Sequence, residues 1–185
     1  MRRILIALTF ALTGVHGVPA SQAITPAEVE APVTWGAVSN VAHVRDLWCS
    51  GQPDRKTLEE AVEHGVKVVI NLRDPSEDDW NEKEAAEGLG LVYYNVPMAK
   101  KGPKGPFSAE AIDRVDALVK KHGGEETLIH CSSGNRAAGW LAVHLAEEQG
   151  TTVDDALEVG RKAGITKGAV EKKVREYIAT HPASR

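Results

Sequence analysis

Cys131 and Arg136 are separated only by Ser132, Ser133, Gly134 and Asn135, which sets a nucleophile and a planar cation at the two ends of a loop of small residues. A cysteine thiolate attacks electrophilic centres, and a guanidinium holds two oxygens of an anion at once. The apolar pair Leu128-Ile129 precedes the loop, and Ala137-Ala138-Gly139-Trp140 follows it. A strand stopping at His130 and a helix opening near Arg136 gather backbone N–H groups and a helix N-terminus around one point. That arrangement favours a bound anion and the thiolate form of Cys131. Ser132, Ser133, Gly134 and Asn135 form the expected anion-binding loop, and His130 is expected to orient it by hydrogen bonds. The chemistry supplied is nucleophilic group transfer at an anionic centre. A plain strand-to-helix turn over a structural thiol is the alternative that these residues leave open.

Hydrolysis of an ester also needs a proton for the leaving oxygen. Carboxylates cluster in the loop after the run Val66 to Leu72, as Asp74, Glu77, Asp78 and Asp79. Asp74, nearest the strand end, is the candidate general acid; the other reading is a solvated acidic loop. Arg73 at the same strand end, with Lys100, Lys101 and Lys104 in the Pro- and Gly-rich loop Pro97 to Pro106, is a candidate for attracting an anionic substrate. Cys49 is expected near the same sheet edge, as a buried free thiol or as a disulfide partner that would silence Cys131. The histidines show no metal-ligand spacing, so neither a metal nor a cofactor is expected.

These residues need a scaffold, and the rest of the chain supplies one. Val41–Val44 and Leu47–Cys49 read as a hairpin turning at Arg45-Asp46. Thr57-Leu-Glu-Glu60 reads as a capping box that opens a helix, and Gly65 as its left-handed stop. Val66 to Leu72, Leu91 to Val96 and Thr127 to His130 are strand-like runs. Helical patterns begin at Ser108, near Arg136, at Thr152 and at Thr166. Strands alternating with helices predict an α/β domain over residues 41–181, three layers deep, with a largely parallel central sheet. Residues 24–40, with Pro26 and Pro32, are expected as a flexible leader. Residues 1–23 carry Arg2-Arg3, the uncharged run Ile4 to Val15, and Ser21 and Ala23 before a cleavage point. This is the pattern of a signal peptide, which predicts a periplasmic or secreted protein with no stable membrane insertion after cleavage. The whole chain has 185 residues and a net charge of −4, which argues for one domain and against a nucleic-acid partner. The partner expected instead is a small anionic or phosphorylated substrate.

The stretch from about Trp48 to Gln149 resembles the phosphatase-like domain of the beta-lactamase-hydrolase-like family, a branch of the dual-specificity phosphatase superfamily. The matching pieces are Ser50-Gly-Gln-Pro53, Val69-Ile-Asn-Leu-Arg73, Tyr94-Asn-Val-Pro97 and Ile129-His-Cys131, in family order. The resemblance implies a cysteine-phosphatase-like fold, Cys131 as nucleophile, Arg136 as anion clamp, and hydrolysis of a phosphomonoester through a phosphocysteine. The chain departs from the pattern in three places. The Cys131 loop is one residue shorter than in these phosphatases and is similar to that of rhodanese-type sulfurtransferases, which implies a Cys131 persulfide as the alternative. The loop Met98 to Pro106 holds no carboxylate where the superfamily places its acid, and Ala137 stands where a hydroxyl residue is common. A non-catalytic anion- or partner-binding module is the third reading.

Overall fold

The structure is a computed structural model, and it describes residues 24–99 and 106–181. The signal-peptide segment and the lysines at positions 100, 101 and 104 lie outside the described residues.

Six strands form one sheet: β1 (Glu30–Val33), β2 (Val41–Val44), β3 (Leu47–Ser50), β4 (Val68–Asn71), β5 (Val92–Asn95) and β6 (Thr127–His130), in the order β1-β2-β3-β6-β4-β5. The pairs β3–β6, β6–β4 and β4–β5 are parallel, while β1 and β2 join by antiparallel pairing. The sheet is therefore largely parallel, and its four parallel strands end along one edge. Val68, Val69 and Ile70 of β4 and Leu128 and Ile129 of β6 are wholly buried, because helices cover both faces of the sheet.

On one face, α1 (Arg55–Glu63) and α2 (Glu82–Gly88) cover Trp48, Val69 and Leu128 with Leu58, Ala61, Ala85 and Ala86. On the other lie α3 (Ala109–Lys121), α4 (Asn135–Glu148), α5 (Val153–Ala163) and α6 (Gly168–Thr180). Here Ile70, Leu72 and Ile129 meet Ile112, Val115, Leu141, Leu145, Leu157 and Val174. The α/β three-layer architecture expected from the sequence is thus present. Among the described residues no helix is long and apolar enough to cross a membrane.

Two expectations need correction. Residues 24–40 are not a structureless leader: they supply the edge strand β1, and Ile24, Val29 and Trp35 are buried. Trp35 packs on Trp48 with ring centroids 4.5 Å apart. An edge strand that is exposed on most of its positions shows no alternation, and Pro32 is tolerated there because no ladder partner needs its missing N–H. The first helix starts before the expected box, since Asp54 caps it and accepts from both the amide and the hydroxyl of Thr57 at 2.8 Å.

Candidate active site

Cys131 follows the last residue of β6, and α4 begins four residues later. Its amide donates to the Ser50 carbonyl at 3.2 Å, continuing the β3–β6 ladder by one bond. The chain then reverses through Ser132 and Ser133, and Gly134 takes the left-handed conformation with φ 81°. A Cβ at Gly134 would stand 2.9 Å from the Asn40 Cβ, so both backbone and packing demand glycine. Asn40 fastens the loop by donating from Nδ2 to the Ser133 carbonyl at 2.7 Å. The first helical bond of α4 runs from the Ala138 amide to Gly134, which leaves the N–H groups of the opening turn without helical acceptors.

Cys131, Ser133, Asn135 and Arg136 line one cavity of about 270 Å³ with Pro106, Lys167 and Val170. Larger cavities lie between α3 and α6 and along α3, but neither contains a thiol. The sequence-predicted nucleophile, loop and cation are therefore brought together. Asn135 contributes chiefly as a tie: its Oδ1 accepts from the amides of Thr166 and Lys167 at 2.9 and 3.0 Å. That tie holds the α5–α6 turn against the loop and sets Lys167 at the cavity wall.

Arg136 is nearly buried, and its terminal nitrogens are fully engaged. Nη1 donates to the carbonyls of Leu72 and Met98 at 3.1 and 2.8 Å and to Glu77 Oε1 at 2.9 Å. Nη2 donates to Glu77 Oε2 at 2.9 Å and to Ser132 Oγ at 3.0 Å. The Ser132 hydroxyl itself donates to Glu77 Oε2 at 2.9 Å. Glu77 thus locks the guanidinium bidentately from outside the loop. The Nε–H of Arg136 is bonded to no described residue, which leaves it available to an anion.

Asp74 is not among the residues that line the Cys131 cavity. Its carboxylate caps the short helical turn Pro75–Glu77, accepting from the amide and hydroxyl of Ser76 at 2.9 and 2.6 Å. Those bonds hold its pKa below the usual carboxylate range, the wrong direction for a proton donor. The pattern Asp74-Pro-Ser-Glu77 carried the signal that was missed: a capping box spends the first carboxylate on the turn and aims the fourth residue elsewhere. Arg73 is also diverted from the substrate role, being buried and bonded to Gln52 and to Asp78, whose carboxylate lies 3.4 Å away.

His130 is fully buried, with Nε2 2.7 Å from Glu82 Oε1. Cys49 and Cys131 are both free thiols. Burial, with Cys131 adding to it, pushes the Cys49 thiol up to about 12, so Cys49 stays protonated at neutral pH. Glu82, Asn40 and Lys167 are residues that sequence reasoning did not place at the site, and Glu77 was named there only as one of a carboxylate cluster, without its bond to Arg136. Among the described residues no cluster of His, Cys, Asp and Glu is arranged to hold a metal ion.

No protein-family model matches the sequence, and no curated protein matches it. Solved structures do match in fold. A DUF442 protein of Shewanella putrefaciens superposes with a TM-score of 0.61 at 21% identity, over 78% of this chain and 95% of that one. Tk-PTP in its active form gives 0.62 at 20% identity, over 80% and 99%. P. aeruginosa TpbA in complex with pTyr gives 0.60 at 18% identity, over 90% and 91%. The chain therefore has a cysteine-phosphatase fold. The likeness does not single out the beta-lactamase-hydrolase-like branch that the sequence motifs suggested.

Proposed function

We propose that the protein is an exported cysteine-dependent phosphatase that hydrolyses a phosphomonoester through Cys131. The observation that carries this reading is the shared cavity of Cys131 and Arg136 at the carboxyl edge of the parallel sheet, within a cysteine-phosphatase fold. The Cys131 thiolate attacks phosphorus in line with the leaving oxygen. As the P–O bond to the leaving group breaks, the equatorial oxygens are met by amides of the opening turn of α4 and by Arg136 Nε–H. Water then attacks the phosphocysteine, releasing phosphate and restoring the thiolate. Ala137 offers no hydroxyl to assist that second step.

Asp74 is spent as a cap, Glu77 is held by Arg136, Asp78 pairs with Arg73, and no carboxylate lines the Cys131 cavity, so the leaving oxygen takes its proton from water. The rate then depends steeply on how good the leaving group is. The test is phosphate release from an activated aryl phosphate and from an alkyl phosphate by the reduced protein, with Cys131→Ser as control. Cys131-dependent release from the aryl ester, with far slower release from the alkyl ester, is expected. No release by folded, reduced protein would refute the reading. Sulfur transfer through a Cys131 persulfide is the second reading, favoured by the four-residue loop and by chemistry that needs no acid. Thiocyanate formation from thiosulfate and cyanide tests it.

A further inference from the structure

The bonds that Arg136 makes to Leu72, Met98, Glu77 and Ser132 spend most of its donors inside the protein and leave its Nε–H for a ligand. The residues that line the Cys131 cavity include one other cation, Lys167, and no carboxylate. An ammonium on the wall of a cavity without acids attracts anions and can add a charge-assisted hydrogen bond to one.

The backbone fixes where Lys167 stands. Its amide donates to Asn135 Oδ1 at 3.0 Å beside the Thr166 amide at 2.9 Å, and Asn135 Nδ2 donates to the Thr166 hydroxyl at 3.1 Å. Asn135 opens α4 and Arg136 follows it, so both cations of the cavity are set by consecutive residues of one helical turn. The Lys167 side chain is exposed and makes no hydrogen bond or ion pair with any described residue. Glu171 stands one turn further on, its amide bonded to the Lys167 carbonyl at 3.3 Å, where a carboxylate commonly pairs with a lysine. Glu171 Oε1 is taken instead by Arg161 Nη1 at 3.0 Å and Arg175 Nη2 at 3.5 Å, and Arg175 also reaches Asp154 at 2.9 Å. This salt-bridge network between α5 and α6 leaves the Lys167 ammonium uncompensated at the cavity wall. The remaining lining is apolar, Pro106 and Val170. Val170 is seated against α4 at Gly139, where an added Cβ would stand 3.2 Å from its Cγ1.

We propose that Lys167 is a specificity-determining residue that receives a second anionic group, carboxylate or phosphate, of a phosphomonoester whose apolar body lies against Pro106 and Val170. The proposal rests on the Cys131 cavity as the substrate site, and it narrows the substrate to a phosphomonoester bearing a second negative charge.

The experiment is isothermal titration of the reduced protein with 3- and 4-phosphonobenzoate, the uncharged 3- and 4-phosphonobenzamides, and 1,3- and 1,4-benzenediphosphonate. None of these probes is turned over, so binding is read apart from hydrolysis. At least one doubly anionic probe is expected to bind about threefold to fivefold tighter than its amide counterpart, beyond the statistical advantage of the symmetric diphosphonates. A gain in either arm supports the proposal, and the larger gain identifies the second anion as carboxylate or phosphate. Lys167→Met is expected to bring the ratio of charged to uncharged probe close to one, and Lys167→Arg to keep it; a merely structural role would weaken all probes alike. Equal binding of charged and uncharged probes, or a ratio that survives Lys167→Met, overturns the proposal. Binding of no probe at all to the folded protein overturns the anion-cavity reading and the proposal with it, an outcome distinct from failure of Lys167 alone.

Discussion

Replacing Glu77 by Gln tests whether the carboxylate is what fixes Arg136. The Glu77 side chain is 14% exposed and that of Arg136 5%, and two bonds of 2.9 Å join them. Removing one member of a buried ion pair costs about 3–5 kcal/mol, because the other charge is left buried. Two features reduce that figure here. Gln keeps one acceptor, and Arg136 retains the carbonyls of Leu72 and Met98 and the Ser132 hydroxyl. The expected loss is about 2–3 kcal/mol, which lowers the urea midpoint by roughly 1 M for ordinary denaturant slopes. Urea unfolding of Glu77→Gln, Arg136→Met and the double variant gives the coupling directly. A coupling of about 2 kcal/mol is expected, since the double variant buries neither charge alone. Additive losses, with a coupling under about 0.5 kcal/mol, would show that the pair is incidental and that the backbone carbonyls hold Arg136.

Other perturbations separate loop geometry, electrostatics and thiol reactivity. Gly134→Ala meets both a φ of 81° and the Asn40 side chain, so it should lower thermal stability by about 1–3 kcal/mol and abolish Cys131-dependent turnover; wild-type activity would mean that the loop adapts. Glu147 is pushed up to about 7, first by burial and then by Asp116. A carboxyl raised in the folded state lends stability below its unfolded value and withdraws it as pH rises through 7. Glu147→Gln should therefore raise the denaturation midpoint in mild alkali and leave it unchanged in mild acid; the opposite order would refute the assignment. Because the Cys49 thiol is pushed up to about 12, iodoacetamide near neutral pH should label Cys131 and spare Cys49 in the native protein. Peptide mapping that finds Cys49 modified first would contradict this.

Much of the scaffold was readable because it is written in local patterns. The β-branched run that became β4, the hairpin turn at Arg45 with its φ of 56°, and the Ser108 and Thr152 caps each follow from a few neighbouring residues. Local reading failed where a stronger neighbour competed, as when Asp54 took the cap from Thr57. It failed also where burial came from distant partners, as when Ile24 and Val29, expected in a leader, joined the main core.

The site divides the same way. Cys131, the short loop and Arg136 are contiguous in the chain, so their meeting at the end of β6 follows from a strand-to-helix turn alone. Which carboxylate meets Arg136 could not be read locally. Asp74 and Glu77 lie in one charged loop, and the choice between them depended on how the turn Pro75–Glu77 was capped and on where β4 ended relative to β6. Glu82 needed still more: the alignment of Asn71 with His130, and Gln52 brought across from the end of β3. Strands β2 to β6, the longer helices and the reactive loop were legible in the residues themselves, because hydrogen-bond period and side-chain alternation are short-range. Which charges face one another was not, because that is set by strand order and register between segments far apart in the chain.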